Sequence, residues 1–369
     1  ENLFLLRRFT DNNAVTRIGD PNNPLPRTVA YELGYEHSLF NQFLLRLAGY
    51  YKDASLQSRL VTYVSRDNKV NYSVTKPYSY QDTRGFELTL RKNRGQWVQG
   101  FVNYTYDVTT AGNFGFGTYY ENPAEQRRYE RETRSHYQEK PVPRPYSRAN
   151  IDFFTPQEFG PKLAGLSLLG DWRLNLLAVW RSGYHFTWTG GGTIPGIQYN
   201  VQWRDYYNVD LRLSKNFRLG FANLEFFVDI YNLFNIRYMT QYGFVDGKDY
   251  EAYMKSLHLP ADIGDRLAYG NIPGNDRPGD YRNEGVKFQP MEFVADMKDV
   301  SRLDPMVIYY DKSRRNFYEC IGGQWVMVPE PKLRKLLDSK AHIDMPNQQY
   351  FTFLHPRDVY WGVRLWVNY

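Results

Sequence analysis

Six histidines, one cysteine and a scatter of acids are the side chains that could do chemistry in this 369-residue chain. The histidines are His37, His136, His185, His258, His342 and His355. None stands in an HExxH pair or another close ligand spacing, so local sequence assigns no metal. Cys320 is the single cysteine, which excludes an internal disulfide and a cysteine metal cluster. Asp262, Asp265, Asp276 and Asp280 could offer oxygens to Ca²⁺, but their spacing fits no EF-hand. There is no nucleophile elbow and no phosphate-binding glycine loop. Gly190-Gly191-Gly192 reads as a flexible loop. No residue is assigned a catalytic, metal or cofactor role, no cofactor is expected, and the chain does not read as an enzyme. A second set of side chains binds without reacting. Tyr119, Tyr120, Trp188, Trp203, Tyr206 and Tyr207 lie in connecting segments, where they could stack on sugars, grip a hydrophobic chelate, or pack the loops together.

The elements that must position these residues are strands. Trp361, Val363, Leu365, Val367 and Tyr369 fall on one face of a period-two ribbon, with Gly362, Arg364 and Asn368 on the other. The same alternation recurs in Tyr31-Glu32-Leu33-Gly34-Tyr35-Glu36, Phe86-Glu87-Leu88-Thr89-Leu90-Arg91, Trp172-Arg173-Leu174-Asn175-Leu176 and Val209-Asp210-Leu211-Arg212-Leu213. Strands are expected at roughly 2–9, 28–37, 43–53, 82–91, 96–107, 147–154, 171–182, 206–215, 223–235 and 358–369. Short connections (38–42, 92–95, 216–222) alternate with long ones (10–27, 54–81, 108–146, 183–205, 236–357). A transmembrane barrel with tight turns at one rim and large loops at the other produces that bias. A soluble sandwich does not.

Bulk composition agrees. Aromatic residues are 17% of the chain, with 32 Tyr, 23 Phe and 8 Trp, yet mean hydropathy is −0.62. No apolar run reaches the length of a membrane helix. Alternating strands average out in hydropathy, and aromatics form interfacial girdles. The net charge of +6 comes from 46 basic and 40 acidic residues. They are interleaved rather than gathered in a stripe, so no nucleic-acid partner is expected. Glu32, Glu36, Arg91, Arg173, Asp210, Arg212 and Arg364 are expected to face the barrel lumen.

The insertion at 236–357 is too long for a plain loop. Asp246 caps an expected helix running to about His258, with Asp249 at its third position. Segments 306–310, 316–320 and 324–328 suggest a small sheet, and Lys332–Lys340 a short helix led by Pro331. The expected domains are barrel strands 1–235, an extracellular insertion 236–357 and a final barrel strand 358–369. Residues 119–148, dense in Arg, Glu and Tyr, read as a solvated loop.

Several strings resemble one family. Val228-Asp229-Ile230-Tyr231-Asn232-Leu233-Phe234-Asn235 is similar to the "NLFN" strand of TonB-dependent outer-membrane receptors. Gly19-Asp20-Pro21-Asn22-Asn23-Pro24-Leu25-Pro26-Arg27, followed by the Tyr31–Glu36 strand, resembles that family's GNP…YELGYE segment. Arg84-Gly85-Phe86-Glu87-Leu88 resembles its RGxEL strand start, and Gly362-Val363-Arg364-Leu365 its last strand. Pro24-Leu25-Pro26-Arg27 departs from the usual Lys-Pro-Glu, and Tyr369 stands where Phe is commonest. The resemblance covers most of 15–240 and 355–369. It implies an all-β, transmembrane antiparallel β-barrel of about 22 strands, of which this chain holds about ten C-terminal ones. The plug and the TonB-contacting box are expected upstream. The implied function is uptake of a scarce ligand (iron chelate, vitamin, oligosaccharide or peptide) across the bacterial outer membrane. Implied partners are outer-membrane lipid, the TonB complex, the barrel-assembly machinery and the ligand, small or oligomeric. A passive porin, a barrel-embedded enzyme and a soluble β module are the alternatives.

Overall fold

A computed structural model describes residues 7–9, 15–20, 22–133, 138–163, 165–240, 243–348 and 356–367. The chain forms two compact units, Glu1–Pro156 and Gln157–Tyr369. The insertion lies within the second unit. The expected positions 2–6, His136, His355 and Tyr369 lie outside the described residues.

The first unit is built on β1 (Arg27–Leu39), β2 (Phe43–Val64), β3 (Asn71–Lys92), β4 (Val98–Asn113) and β5 (Tyr146–Phe154). These pair antiparallel in chain order. The β1–β2 connection is three residues long, 40–42. Phe40 and Asn41 both take positive φ, 52° and 53°, and the Gln42 amide donates to Leu39 O at 3.0 Å. Two left-handed residues match the right-handed strand twist.

Two expected loops are ordered structure. The 54–81 segment continues β2 and β3, whose pairing runs to Val64↔Asn71. Val61-Thr62-Tyr63-Val64 and Tyr72-Ser73-Val74-Thr75 are β-branched and aromatic, which favours strands. The register slips only between Ala54 and Arg59, where Leu56 takes φ 56°. Each strand is 22 residues long, about twice what a tilted strand needs to cross a bilayer. Within the expected loop at 119–148, α1 (Pro123–Thr133) forms. Asn122 Oδ1 caps it by accepting the Ala124 amide at 3.0 Å.

The second unit carries, in order, β6 (Trp172–Arg181), β7 (Tyr206–Arg218), β8 (Ala222–Tyr231), α2 (Gly247–Ser256), α3 (Ala261–Gly264), β9 (Met291–Val294), β10 (Ile308–Asp311), β11 (Asn316–Ile321), β12 (Gln324–Met327), α4 (Glu330–Ser339) and β13 (Asp358–Val367). Strands β6, β7, β8 and β13 pair antiparallel in that order. The β7–β8 turn at 219–221 is short, and Gly220 supplies its left-handed φ of 71°. The connections at the other strand ends, 182–205 and 232–357, are long. Asp246 caps α2 as expected, its carboxylate accepting the Lys248 and Asp249 amides. The small sheet gains a fourth strand, β9, parallel to β10.

Register places Leu174, Leu176, Leu211, Leu213, Leu224, Phe226, Val228, Trp361, Val363 and Leu365 on one face of the second sheet. Trp361 is 79% exposed and Leu365 60%. In the first unit, Leu33 of β1 is 82% exposed. Such a continuous apolar face is tolerable against lipid, not water. The buried apolar clusters among the described residues lie elsewhere. One joins Val201 and Trp203 to Met239, Tyr253, Met254, Leu257, Leu259 and Ile343. The other packs Ile272, Ile308, Tyr310, Phe317 and Val328 under α4.

Candidate functional site

On the polar face of the second sheet, Arg212 of β7 reaches Asp229 at 3.5 Å and Glu225 at 4.0 Å on β8. Arg364 of β13 reaches Glu225 from the other side at 3.3 Å. The Phe227 ring lies between both guanidiniums, 5.1 Å from Arg212 and 4.6 Å from Arg364. Alternation puts all five on one face, and Gly362 makes room for the ring: a Cβ there would stand 2.7 Å from Phe227 Cζ. Gly85 lies closer still to its neighbours in the first unit, where a Cβ would run into the Tyr106 backbone carbonyl on β4 and stand 2.8 Å from the Tyr50 hydroxyl on β2. That close approach is the physical reason for the glycine in Arg84-Gly85-Phe86-Glu87-Leu88.

The Asn232-Leu233-Phe234-Asn235 string ends β8. Asn232 and Asn235 take left-handed φ values of 52° and 49°, which asparagine tolerates better than most residues. The Asn232 side chain closes a ring on Ile236, accepting its amide at 2.8 Å and donating to its carbonyl at 2.9 Å. Its own amide donates to Asp210 Oδ1 on β7 at 2.9 Å. The Leu233 amide donates to Val209 O at 2.7 Å, and Asn235 Oδ1 accepts the Arg357 amide at 3.2 Å. The motif thus fastens the ends of three strands. Leu233 is half-buried there, and Phe234 projects from the surface.

Beside it opens a cleft of about 450 Å³. Arg181, Tyr206, Asp210, Tyr231, Tyr238 and Asp358 line it, and Tyr207 borders it. The Arg181 guanidinium lies 4.6 Å from the centre of the Tyr206 ring. Tyr206 meets Tyr238 edge-on at 5.1 Å. Burial raises the Tyr238 phenol above its ordinary value. The walls therefore offer flat aromatic surface with a fixed cation and carboxylates, suited to a ring-bearing polar ligand.

Above the strand ends the insertion is docked, not loose. Trp203 has no exposed surface. Its indole N–H donates to Met239 O at 2.9 Å, and its ring stacks on Tyr184 at 5.4 Å. The Arg204 amide donates to Pro278 O at 2.8 Å, and its guanidinium pairs with Asp280 at 3.5 Å. Deeper in the insertion, the His258 and His342 rings stack 3.8 Å apart and 7° from parallel. Asp276 Oδ2 lies 2.8 Å from His342 Nε2 and accepts the His258 amide at 2.6 Å. Lys340 Nζ sits 2.8 Å from Asp276 Oδ1 and 3.3 Å from Asp280 Oδ2. Burial, with His342 alongside, lowers His258 to about 3. Burial alone would raise Asp276, but His342 and Lys340 hold it below its ordinary value. Nδ1 of both rings is sealed and has no hydrogen-bond partner among the described residues. A buried unpartnered polar group costs about 1–3 kcal/mol.

The TonB dependent receptor-like β-barrel model matches residues 6–233. The chain belongs to that family. No curated protein matches it. The fold is accordingly that of an antiparallel β-barrel fragment, and the family is one of outer-membrane transporters rather than enzymes. The matched span closes at Leu233, inside the asparagine motif. The insertion and β13 lie beyond it, yet β13 pairs with β8 along its whole length and repeats the receptor-barrel alternation.

The six loop aromatics of this receptor barrel divide. Tyr206 and Tyr207 open β7, so they are strand rather than loop residues, and both reach the cleft. Trp203 is internal to the loop core, and Trp188 packs beside it, its indole N–H donating to the Tyr269 hydroxyl at 3.3 Å. Tyr119 stacks on Tyr63 at 5.4 Å, and Tyr120 meets Tyr129 of α1 at 5.8 Å. Of the four acids considered for Ca²⁺, Asp276 and Asp280 share the Lys340 ammonium. The cluster at His258, Asp276 and His342 has no sequence signal, because its members are 18 and 66 positions apart.

Proposed function

We propose that this chain is the barrel part of a TonB-dependent receptor that binds a scarce ligand at the cell surface and passes it to the periplasm. Membership of the family carries the reading. The lumenal ladder of Arg212, Glu225, Asp229 and Arg364 supports it, since a polar wall suits a passage or a docked plug. In this reading Trp361, Val363, Leu365 and Val367 face outer-membrane lipid and belong to the strand that the barrel-assembly machinery recognises. The TonB complex supplies the energy. The insertion caps the outer strand ends. The cleft at Arg181, Tyr206 and Tyr238 contacts a ligand with an aromatic or sugar ring, small or oligomeric. No covalent step is involved.

The test is uptake in cells carrying the intact gene, a clean deletion, or the intact gene without TonB. A panel of labelled iron chelates, cobalamin, oligosaccharides and peptides is offered at limiting concentration. One class should enter only when both the gene and TonB are present. Uptake that survives loss of TonB would instead make this a passive porin.

A further inference from the structure

We infer that His258, Asp276 and His342 form a site for one divalent transition-metal ion of the zinc, cobalt and nickel class, which staples the insertion together. Each residue offers one ligand atom, and these atoms lie within 4.8 Å of one another. The three residues are 5%, 0% and 4% exposed. Two imidazoles and a carboxylate are what borderline divalent ions prefer, whereas Ca²⁺ takes oxygens.

The scaffold is already fixed. His258 follows α2, and its amide and carbonyl bond Asp276 reciprocally: the His258 amide to Oδ2 at 2.6 Å, the Asp276 amide to His258 O at 3.1 Å. His342 follows α4, whose last turn closes at Lys340 with a left-handed φ of 56°. Three chain segments thus meet at one buried point. The Nδ1 atoms of both rings, without a hydrogen-bond partner among the described residues, mark donor capacity left unused there.

The ion would require two adjustments. Ligand atoms about 2.0–2.2 Å from Zn²⁺ stand roughly 3.3 Å apart in a tetrahedron, so the stacked rings must splay from their 7° alignment. For His342 to ligate through Nε2, the proton it shares with Asp276 Oδ2 must move to Nδ1 of the same ring, with no net loss. Lys340 is the competitor, because it sits on the other Asp276 oxygen and on Asp280. Arg204 also faces Asp280, and Asp344 faces His342. The site is sealed from solvent, so the ion is structural and separate from any transported cargo.

The test uses tag-free full-length receptor in detergent, stripped with chelator and titrated with Co²⁺. One equivalent should bind with the visible absorption of a low-symmetry nitrogen and oxygen site, and Zn²⁺ should displace it. His258→Gln, His342→Gln and Asp276→Asn should each weaken binding at least tenfold. His37→Gln, outside the cluster, should change nothing. Lys340→Met should tighten binding, which a purely hydrogen-bonded latch would not produce. Binding that survives in the His258→Gln/His342→Gln double variant, or no bound equivalent at all, overturns the inference. If the variants fail to fold, X-ray absorption on Zn²⁺-loaded native protein decides. Imidazole scattering supports the site and its absence overturns it.

Discussion

Replacing Trp203 with alanine should free the insertion while leaving the barrel intact. Trp203 is wholly buried between the 183–205 loop and the insertion. Truncation empties most of that volume and leaves the Met239 carbonyl without its indole donor. Buried Trp→Ala changes cost about 3–5 kcal/mol. If the loss falls on local opening rather than global unfolding, the open population rises on the order of 10²–10³-fold. Cleavage tracks that population when reclosing is faster than the protease. The assay is trypsin on intact cells, followed by blotting for fragments ending between Lys248 and Lys298. In parallel, heat-modifiable gel mobility reads the barrel. Cleavage in the insertion should rise by two orders of magnitude with unchanged mobility. A rise below about threefold would refute the docked-cap reasoning. So would equal loss of barrel mobility, because it would tie Trp203 to the sheet rather than to the loop core. Phe234→Ala, at a side chain 63% exposed, is the control and should do little.

Three further outcomes follow from the same geometry. Asn232→Ala forfeits a left-handed residue and the side-chain ring on Ile236, so barrel stability in urea should fall by about 1–3 kcal/mol; Asn232→Gly, which keeps the φ, should lose less. Gly362→Ala drives a Cβ against Phe227 and should cost about 1–3 kcal/mol in the same assay, while Phe227→Leu in the same background should recover part of it. In the insertion, burial alone would raise the Asp311 carboxyl, but the Ser313 hydroxyl and the Arg314, Met297 and Ser313 amides hold it below its ordinary 3.8. A depressed value means the stabilisation is complete above the unfolded value and disappears as pH falls through the folded one. Protease resistance of the insertion should therefore stay flat from pH 7 to 5 and collapse below about pH 4. Asp311→Asn should lower resistance at pH 7 and flatten that dependence, because one amide group would then face the Met297 N–H.

The strands were legible because their signal is local. Leu174, Leu176, Leu211 and Leu213 alternate with Arg173, Asn175, Asp210 and Arg212, and period two needs no partner to be read. The tip of the β2–β3 hairpin is not legible, for a related reason. Pro77 and the Ala54–Arg59 slip interrupt the period, although Val61, Tyr63, Tyr72 and Val74 favour strand on either side. The helix α1 was missed because Arg127, Arg128, Glu130 and Glu132 give it no apolar stripe. The site is another matter. Asn232 and Gly85 were visible as motif letters, but their reasons were not. Asn232 answers to Ile236 and Asp210, and Gly85 to the Tyr106 backbone and the Tyr50 hydroxyl on the strands at either side. His258, Asp276 and His342 could not be assembled at all, since only the folded insertion brings α2, the 274–281 segment and the end of α4 together.

The chain also uses hydrophobicity toward two different surroundings, and this decides where mutations should hurt. Trp361 and Leu365 stay largely exposed, so their contribution depends on lipid and on strand pairing with Val228 and Leu224. Truncating them removes contact with a fluid solvent that refills the space. Trp203, Met239, Tyr253 and Ile343 are closed off from solvent, and a void among them has nothing to fill it. Apolar truncations on the sheet should therefore be felt mainly in assembly, and those in the loop core mainly in folding of the cap. An exposed face this apolar beside a small buried core fits the proposed placement, with one part in the membrane and another outside it. That asymmetry is why the cap and the barrel should yield to different perturbations.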